Sequence, residues 1–99
     1  MSSDGEMQER ELWNRIGTTE GAARAEVLDE LSHIAYKKNN YAECLSLIET
    51  SIDIYFTMKS EFHTKELIHL YEGKAFCHNN LGQHEEAAEA FETLAGYFC

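Results

Sequence analysis

The chain has no proline among its 99 residues and only three cysteines, none of them in a C-x-x-C pair. The absence of proline argues against a loop-rich protein and suits a helical one, because proline breaks helix interiors. An odd number of unpaired cysteines argues against a disulfide framework and predicts a reducing compartment, so we expect a cytoplasmic protein. No apolar run approaches the roughly 18 residues of a membrane span, and the acidic N-terminal stretch does not resemble a signal peptide.

Basic residues are also scarce, with 8 Lys and Arg against 18 Asp and Glu and a formal net charge of −10. Nucleic-acid binders need a basic face, so this charge argues against nucleic acid, and it also disfavours anionic membranes. It predicts a basic or neutral protein partner. Hydrophobic residues make up 43% of the chain, close to the globular average, and the length suits one small domain or a piece of a repeat array.

Hydrophobic spacing and turn residues predict an all-α fold of five helices without strands. The first helix is predicted to run from Asp4 or Gly5 to Gly17, and the second from a cap at Thr18 or Thr19 to about Lys38. After a turn at Asn39-Asn40, the third is predicted to begin at Tyr41. The fourth is predicted to run from a cap at Ser60 to the turn at Asn79-Gly82, and the fifth to begin at Gln83. We expect the first helix to pack over the N-terminal end through Trp13 and Ile16. The apolar stripe of the last helix is predicted to comprise Ala87, Ala88, Phe91, Leu94, Ala95 and Phe98.

The two halves of the chain resemble each other. After each turn comes an aromatic ring, then a small residue, then a large apolar residue. The matching positions are Tyr41, Cys44 and Ile48 against His84, Ala87 and Phe91, with Leu28 and Ser32 against Tyr71 and Ala75 upstream. Small residues at such positions allow two helices to approach closely, which is the logic of a helical hairpin repeat.

On these residues the chain resembles the tetratricopeptide repeat family. The segment LGQHEEAAEAFETLA at 81–95 is similar to that family's turn and second helix, whereas 25–56 is a weaker match, with Asn39 in place of the turn glycine. The 43-residue spacing from Tyr41 to His84 exceeds the usual 34, which predicts lengthened helices. The resemblance implies a fragment of an α-solenoid, with a capping helix at 1–17 and hairpins at about 20–59 and 61–99 within 18–99.

The resemblance further implies a concave groove along the first helix of each hairpin, suited to an extended or helical peptide. The predicted groove residues are Glu26, Asp29, His33, Tyr36, Lys37, His69, Glu72, Phe76, Asn79 and Asn80. The alternative is that these residues are ordinary solvated helix faces. Because Asp29, His33 and Gly73 stand where a subfamily that clamps C-terminal carboxylates has Lys and Asn, we expect no binding of that kind.

Metal binding and catalysis find little support in the linear pattern. The five histidines include no pair spaced three or four residues apart, so a metal site would need tertiary convergence, and we predict neither metal nor cofactor. Cys77 with His33 or His78 is the best nucleophile candidate, whereas Cys44 is expected to pack as an inert hydrophobe. No catalytic motif is present, and we predict no enzyme activity.

The last helix is rich in apolar residues and has no polar helix after it in this sequence. Repeat arrays need polar caps, so Phe91, Leu94, Tyr97 and Phe98 are predicted to form an open face for self-association or for a further repeat. The leading hypothesis is therefore a non-catalytic protein-interaction module that binds a peptide or protein in its groove or through this open face. Self-association into a homo-oligomer through the last helix is part of this hypothesis. The alternatives are a small acidic secretion-type or assembly chaperone, a regulatory domain of a larger signalling or transcription protein, and a His/Cys metal protein or enzyme.

Overall fold

The computed structural model describes residues 3–58 and 63–97, and it describes side chains from residue 7 onward. Over these residues the chain is all-α. Its five helices are α1 (Ser3–Ile16), α2 (Gly21–Lys37), α3 (Tyr41–Met58), α4 (Thr64–Asn80) and α5 (His84–Gly96). The expected number and order of helices are confirmed, and most predicted boundaries are correct to within a few residues.

The predicted cap of α2 is wrong. Glu20 occupies the N-cap position and makes no side-chain capping bond. The hydroxyls of Thr18 and Thr19 instead donate backward to the carbonyl oxygen of Arg15, at 3.1 and 2.8 Å. They join the Thr18 amide, which donates to the same carbonyl at 3.0 Å, and so help to satisfy the C-terminal end of α1 instead of the start of α2. The predicted cap of the fourth helix, Ser60, lies outside the described residues.

The α2–α3 and α4–α5 turns have the same backbone geometry. Asn39 has φ 62° and Gly82 has φ 76°, both left-handed. The amide of the residue after each of them donates across the turn, Asn40 to the Ala35 carbonyl at 2.9 Å and Gln83 to the His78 carbonyl at 2.8 Å. Each turn thus reverses the chain and lays the following helix back along the preceding one.

The helices pack in chain order, α1 on α2, α2 on α3, α3 on α4 and α4 on α5. The Cα trace measures 42 × 32 × 16 Å. Its thinnest dimension fits two layers of helices. The axes of packed helices lie about 8–10 Å apart, and the Cα atoms of each helix lie about 2.3 Å outside its axis. No helix within 3–58 and 63–97 has the length and apolar character needed to cross a membrane.

The core lies mainly between α2, α3 and α4. Its buried side chains are Leu12, Ala25, Val27, Leu28, Leu31, Ala35, Cys44, Leu47, Ile48, Ile52, Tyr55, Leu67, Leu70 and Cys77. Small residues lie at the tightest points, because Ser32 and Ala75 are almost fully buried, and a Cβ on Gly73 would lie 3.1 Å from Cδ1 of Ile48. Removal of this apolar surface from water is the main force that holds the helices together.

Two packing expectations need correction. Trp13 does not cover the core but is exposed, and α1 contacts α2 through buried Leu12 and half-buried Ile16. On α5 the fully buried residues are Ala87 and Ala90. Of the other members of the predicted stripe, Ala88, Phe91 and Ala95 are exposed and Leu94 is half-buried. In the described chain α5 packs on α4, so only a narrow band of its surface is covered.

Candidate functional site

The candidate site is a groove between α2 and α4. α2 and α4 each pack antiparallel on α3, so the two helices run in the same direction with α3 beneath them. Two side-chain contacts join them across the opening. The first is between Nε2 of His33 and Nε2 of His69, at 3.0 Å. In the second, Nδ2 of Asn80 donates to the hydroxyl of Tyr36 at 3.3 Å.

The groove contains a central cavity of about 260 Å³. Its walls come from α2 and α4, and Cys44 and Ile48 of α3 form its floor. The residues that line it are Asp29, Ser32, His33, Tyr36, Lys37, Cys44, Ile48, His69, Leu70, Glu72, Gly73 and Phe76. Gly73 also lines the cavity and allows Ile48 of the floor to approach α4 closely, because a Cβ there would lie only 3.1 Å from Cδ1 of Ile48.

A second cavity of about 350 Å³ adjoins the first, since Asp29, His69 and Leu70 line both. We call it the acidic cavity. Its remaining lining residues are Glu26, Glu30, Tyr55, Lys65 and Glu66. Together with Asp29, its carboxylates place a concentration of negative charge at one end of the groove.

Most of the predicted groove residues lie at this opening. Seven line the central cavity, namely Asp29, His33, Tyr36, Lys37, His69, Glu72 and Phe76. Glu26 lines the acidic cavity, and Asn80 bridges to Tyr36. The period of each helix was sufficient to place these residues on one face.

Asn79 is the exception. It does not line the central cavity, and its Oδ1 accepts from Nδ1 of His84 at 3.0 Å in the α4–α5 turn. Asn80 also has partners within the chain, because Nδ2 donates to the Phe76 carbonyl at 2.9 Å. Both amides therefore have hydrogen-bond partners within the chain.

Three side chains converge in the groove, and the spacing of the histidines along the chain did not predict this. Oδ1 of Asp29 lies 3.4 Å from Nε2 of His33 and 3.8 Å from Nε2 of His69. With the 3.0 Å between the two imidazoles, these atoms form a compact triangle. Asp29 and His33 have the four-residue spacing of one helix face, which was the available signal; His69 comes from another helix, 36 residues further along the chain.

Cys44 and Cys77 also meet inside the molecule. Sγ of Cys77 and Sγ of Cys44 lie 3.2 Å apart, within hydrogen-bond distance, and both thiols are buried. The hydrogen bond with Cys44 lowers the pKa of Cys77, although burial opposes this shift. The same contact and burial raise the pKa of Cys44. Cys44 is buried as predicted, and Cys77 contacts that thiol rather than a histidine.

His78, the adjacent candidate base, faces elsewhere. Its Nδ1 donates to Oε1 of Gln83 at 2.8 Å. Because Cys77 is fully buried and paired with a second thiol, the arrangement offers no accessible nucleophile beside a base.

The residues of the open face predicted on the last helix have different environments. Phe91 is exposed and lies edge-on to Phe76, with ring centroids 6.2 Å apart. Leu94 is half-buried, and Tyr97 packs against Tyr71, 6.1 Å between ring centroids. Phe98 lies outside the described residues. Phe91 thus contacts the groove residue Phe76 while its own side chain is exposed, whereas Tyr97 lies against the core.

Comparisons with known proteins assign no relationship. No protein-family model matches the chain, and neither the curated proteins nor the solved structures gave a significant match.

Proposed function

We propose that this chain is a non-catalytic interaction module of the tetratricopeptide type that holds a basic segment of a partner protein in the α2–α4 groove. The observation that carries the proposal is the central cavity. It has an apolar floor, an aromatic side chain on each wall (Tyr36 and Phe76) and carboxylates at its edge. This combination suits one apolar anchor flanked by cationic residues.

The repeat interpretation is supported by the two turns. Asn39 and Gly82 hold the same left-handed conformation, and the hydrogen bonds around them match at a constant offset of 43 residues. The next side chains correspond too: the Tyr36 and Tyr41 rings lie 5.3 Å apart, and Asn79 and His84 are hydrogen-bonded at the equivalent positions. We infer two related hairpins, α2–α3 and α4–α5.

The aromatic walls of the central cavity can contact an apolar side chain of a partner. The cavity has a volume of about 260 Å³. Phe76 is 45% exposed at its edge, so apolar surface is available to a ligand. Burial of such aromatic surface at an interface is a common source of binding free energy.

Charge determines which peptide fits. The chain carries −10, and Glu26, Glu30 and Glu66 line the cavity next to the central one. A basic segment would be attracted to this end of the groove and an acidic one repelled. Lys37 and Lys65 also lie at the groove and reduce its negative potential locally, but the acidic side chains outnumber them.

The test is selection of short random peptides by display on the purified protein. We expect enriched peptides to combine Lys or Arg with a large apolar residue, and Phe76→Glu to weaken their binding at least about tenfold. Phe56→Glu is the matched control, because Phe56 is 49% exposed and does not line the central cavity. No enrichment, acidic consensus peptides or equal loss in both variants would contradict the proposal.

A second candidate is self-association through α5, favoured by the exposed position of Phe91 beside Phe76. Sedimentation equilibrium of the reduced protein tests it. We expect a dimer that Phe91→Glu dissociates; a monomer at every concentration, or a dimer unaffected by the change, would reject this role.

A further inference from the structure

We propose that Asp29, His33 and His69 form a binding site for a divalent first-row transition-metal ion, with zinc as the favoured ion. The site spans the groove from α2 to α4. It uses the chain's own side chains and does not depend on a peptide ligand.

The spacing of the donor atoms matches a metal centre. The distances among Oδ1 of Asp29 and the two Nε2 atoms are 3.0, 3.4 and 3.8 Å. Three points at these separations lie on a circle of radius about 2.0 Å, close to the ~2.0–2.1 Å of zinc bonds to imidazole nitrogen. An ion slightly out of the plane of the three atoms would therefore reach all of them with little movement.

The chemistry of the donors selects the class of ion. Two imidazole nitrogens and one carboxylate oxygen suit zinc, cobalt, nickel or copper, whereas magnesium and calcium prefer oxygen ligands alone. Zinc commonly binds three protein ligands of this kind and keeps a further position for water or another donor. Removal of either imidazole should therefore weaken metal binding more than removal of a carboxylate that does not belong to the triangle.

The positions of the three residues are set by the fold. Asp29 and His33 lie one helical turn apart on α2, and His69 projects from α4 across the groove. Both helices pack on α3, which holds the two halves of the site at a defined separation. The site is thus largely organised before an ion arrives, and this lowers the conformational cost of binding.

The site is also accessible. The side chains of His33 and His69 are 54% and 52% exposed, so an ion can enter from solvent. Glu72 lines the same cavity and Glu26 the adjoining one. These carboxylates add favourable negative potential near a divalent cation. Without metal, the two Nε2 atoms at 3.0 Å can share one proton in an N–H···N hydrogen bond.

The experiment is a titration of the reduced, metal-free protein with zinc chloride, followed by calorimetry and by the imidazole NMR signals. We expect one zinc ion per chain and shifts of the His33 and His69 resonances. Even loss of a group that merely orients a metal ligand costs about 10–100-fold in affinity, so His33→Ala and His69→Ala should each weaken binding at least about tenfold. Magnesium chloride should produce neither heat nor shifts.

His63→Ala and His84→Ala are the matched controls, because neither residue belongs to the triangle. Both should retain zinc binding. The exposed positions of His33 and His69 make their alanine variants compatible with folding, and far-ultraviolet circular dichroism checks this directly. Absence of zinc binding, equal affinity in all four variants, or binding that disappears only when the thiols are blocked would each overturn the proposal.

Discussion

Asn39 and Gly82 occupy equivalent left-handed positions in two turns, with φ 62° and 76°. Glycine adopts this conformation freely, and asparagine is among the few other residues that tolerate it. Asn39 has an additional role, since its Oδ1 accepts from the hydroxyl of Tyr41 at 3.0 Å. The two turns thus use different residues for the same chain reversal.

Gly82→Ala should lower the free energy of unfolding by about 1–2 kcal/mol, the cost of a left-handed conformation for a residue with a Cβ. A Cβ at this position would meet nothing within 4 Å, so the effect reports backbone conformation alone. Gly96→Ala is the control, because its Cβ is equally free and its backbone is helical. Urea denaturation measures both. Equal destabilisation of the two variants would contradict this explanation.

Adjacent alanines on α5 should respond differently to enlargement. Ala87 is buried against α4, whereas Ala88 is exposed. We expect Ala87→Leu to cost about 1–3 kcal/mol through overpacking and Ala88→Leu to change stability by less than about 0.5 kcal/mol. Thermal and urea unfolding test the pair. A similar effect at both positions would mean that α5 packs through a different face.

The thiols of Cys44 and Cys77 should resist alkylation by iodoacetamide in the native protein. Hydrogen bonding lowers the pKa of Cys77, but its side chain is fully buried, and a thiolate must be reached before it can react. Peptide mass spectrometry should find both residues modified only after unfolding in guanidinium. Rapid native labelling of Cys77 would restore it as a candidate nucleophile.

Alkaline pH should destabilise the protein through Tyr55 and Tyr71. Burial raises the pKa of both phenols above the ordinary value of 10.0. The unfolded chain therefore loses these protons first, and the associated stability is present below pH 10 and declines as pH rises from there through the native pKa values.

Urea unfolding between pH 8 and pH 11 measures this decline. Tyr55→Phe and Tyr71→Phe should each reduce its slope relative to the unmodified protein, since phenylalanine has no proton to lose. A slope unchanged in both variants would assign the pH dependence to other groups.

Local sequence was enough to predict the five helices, the turns at Asn39 and Gly82, and the helix faces that carry Asp29, His33 and Phe76. These features follow from helical periodicity and from the few residues that tolerate left-handed backbone. The predicted cap at Thr18 or Thr19 was wrong because these hydroxyls can bond either to the start of the next helix or to the last carbonyl oxygens of the helix before them.

Tertiary packing alone decided which distant residues meet. The contacts between His33 and His69 and between Cys44 and Cys77 depend on the rotation and axial offset of α2, α3 and α4. That register is set by how small and large side chains interlock, as at Gly73 and Ile48, and a helix's own periodicity contains no information about it. The sequence therefore determined the faces, and the packing determined the candidate metal triangle.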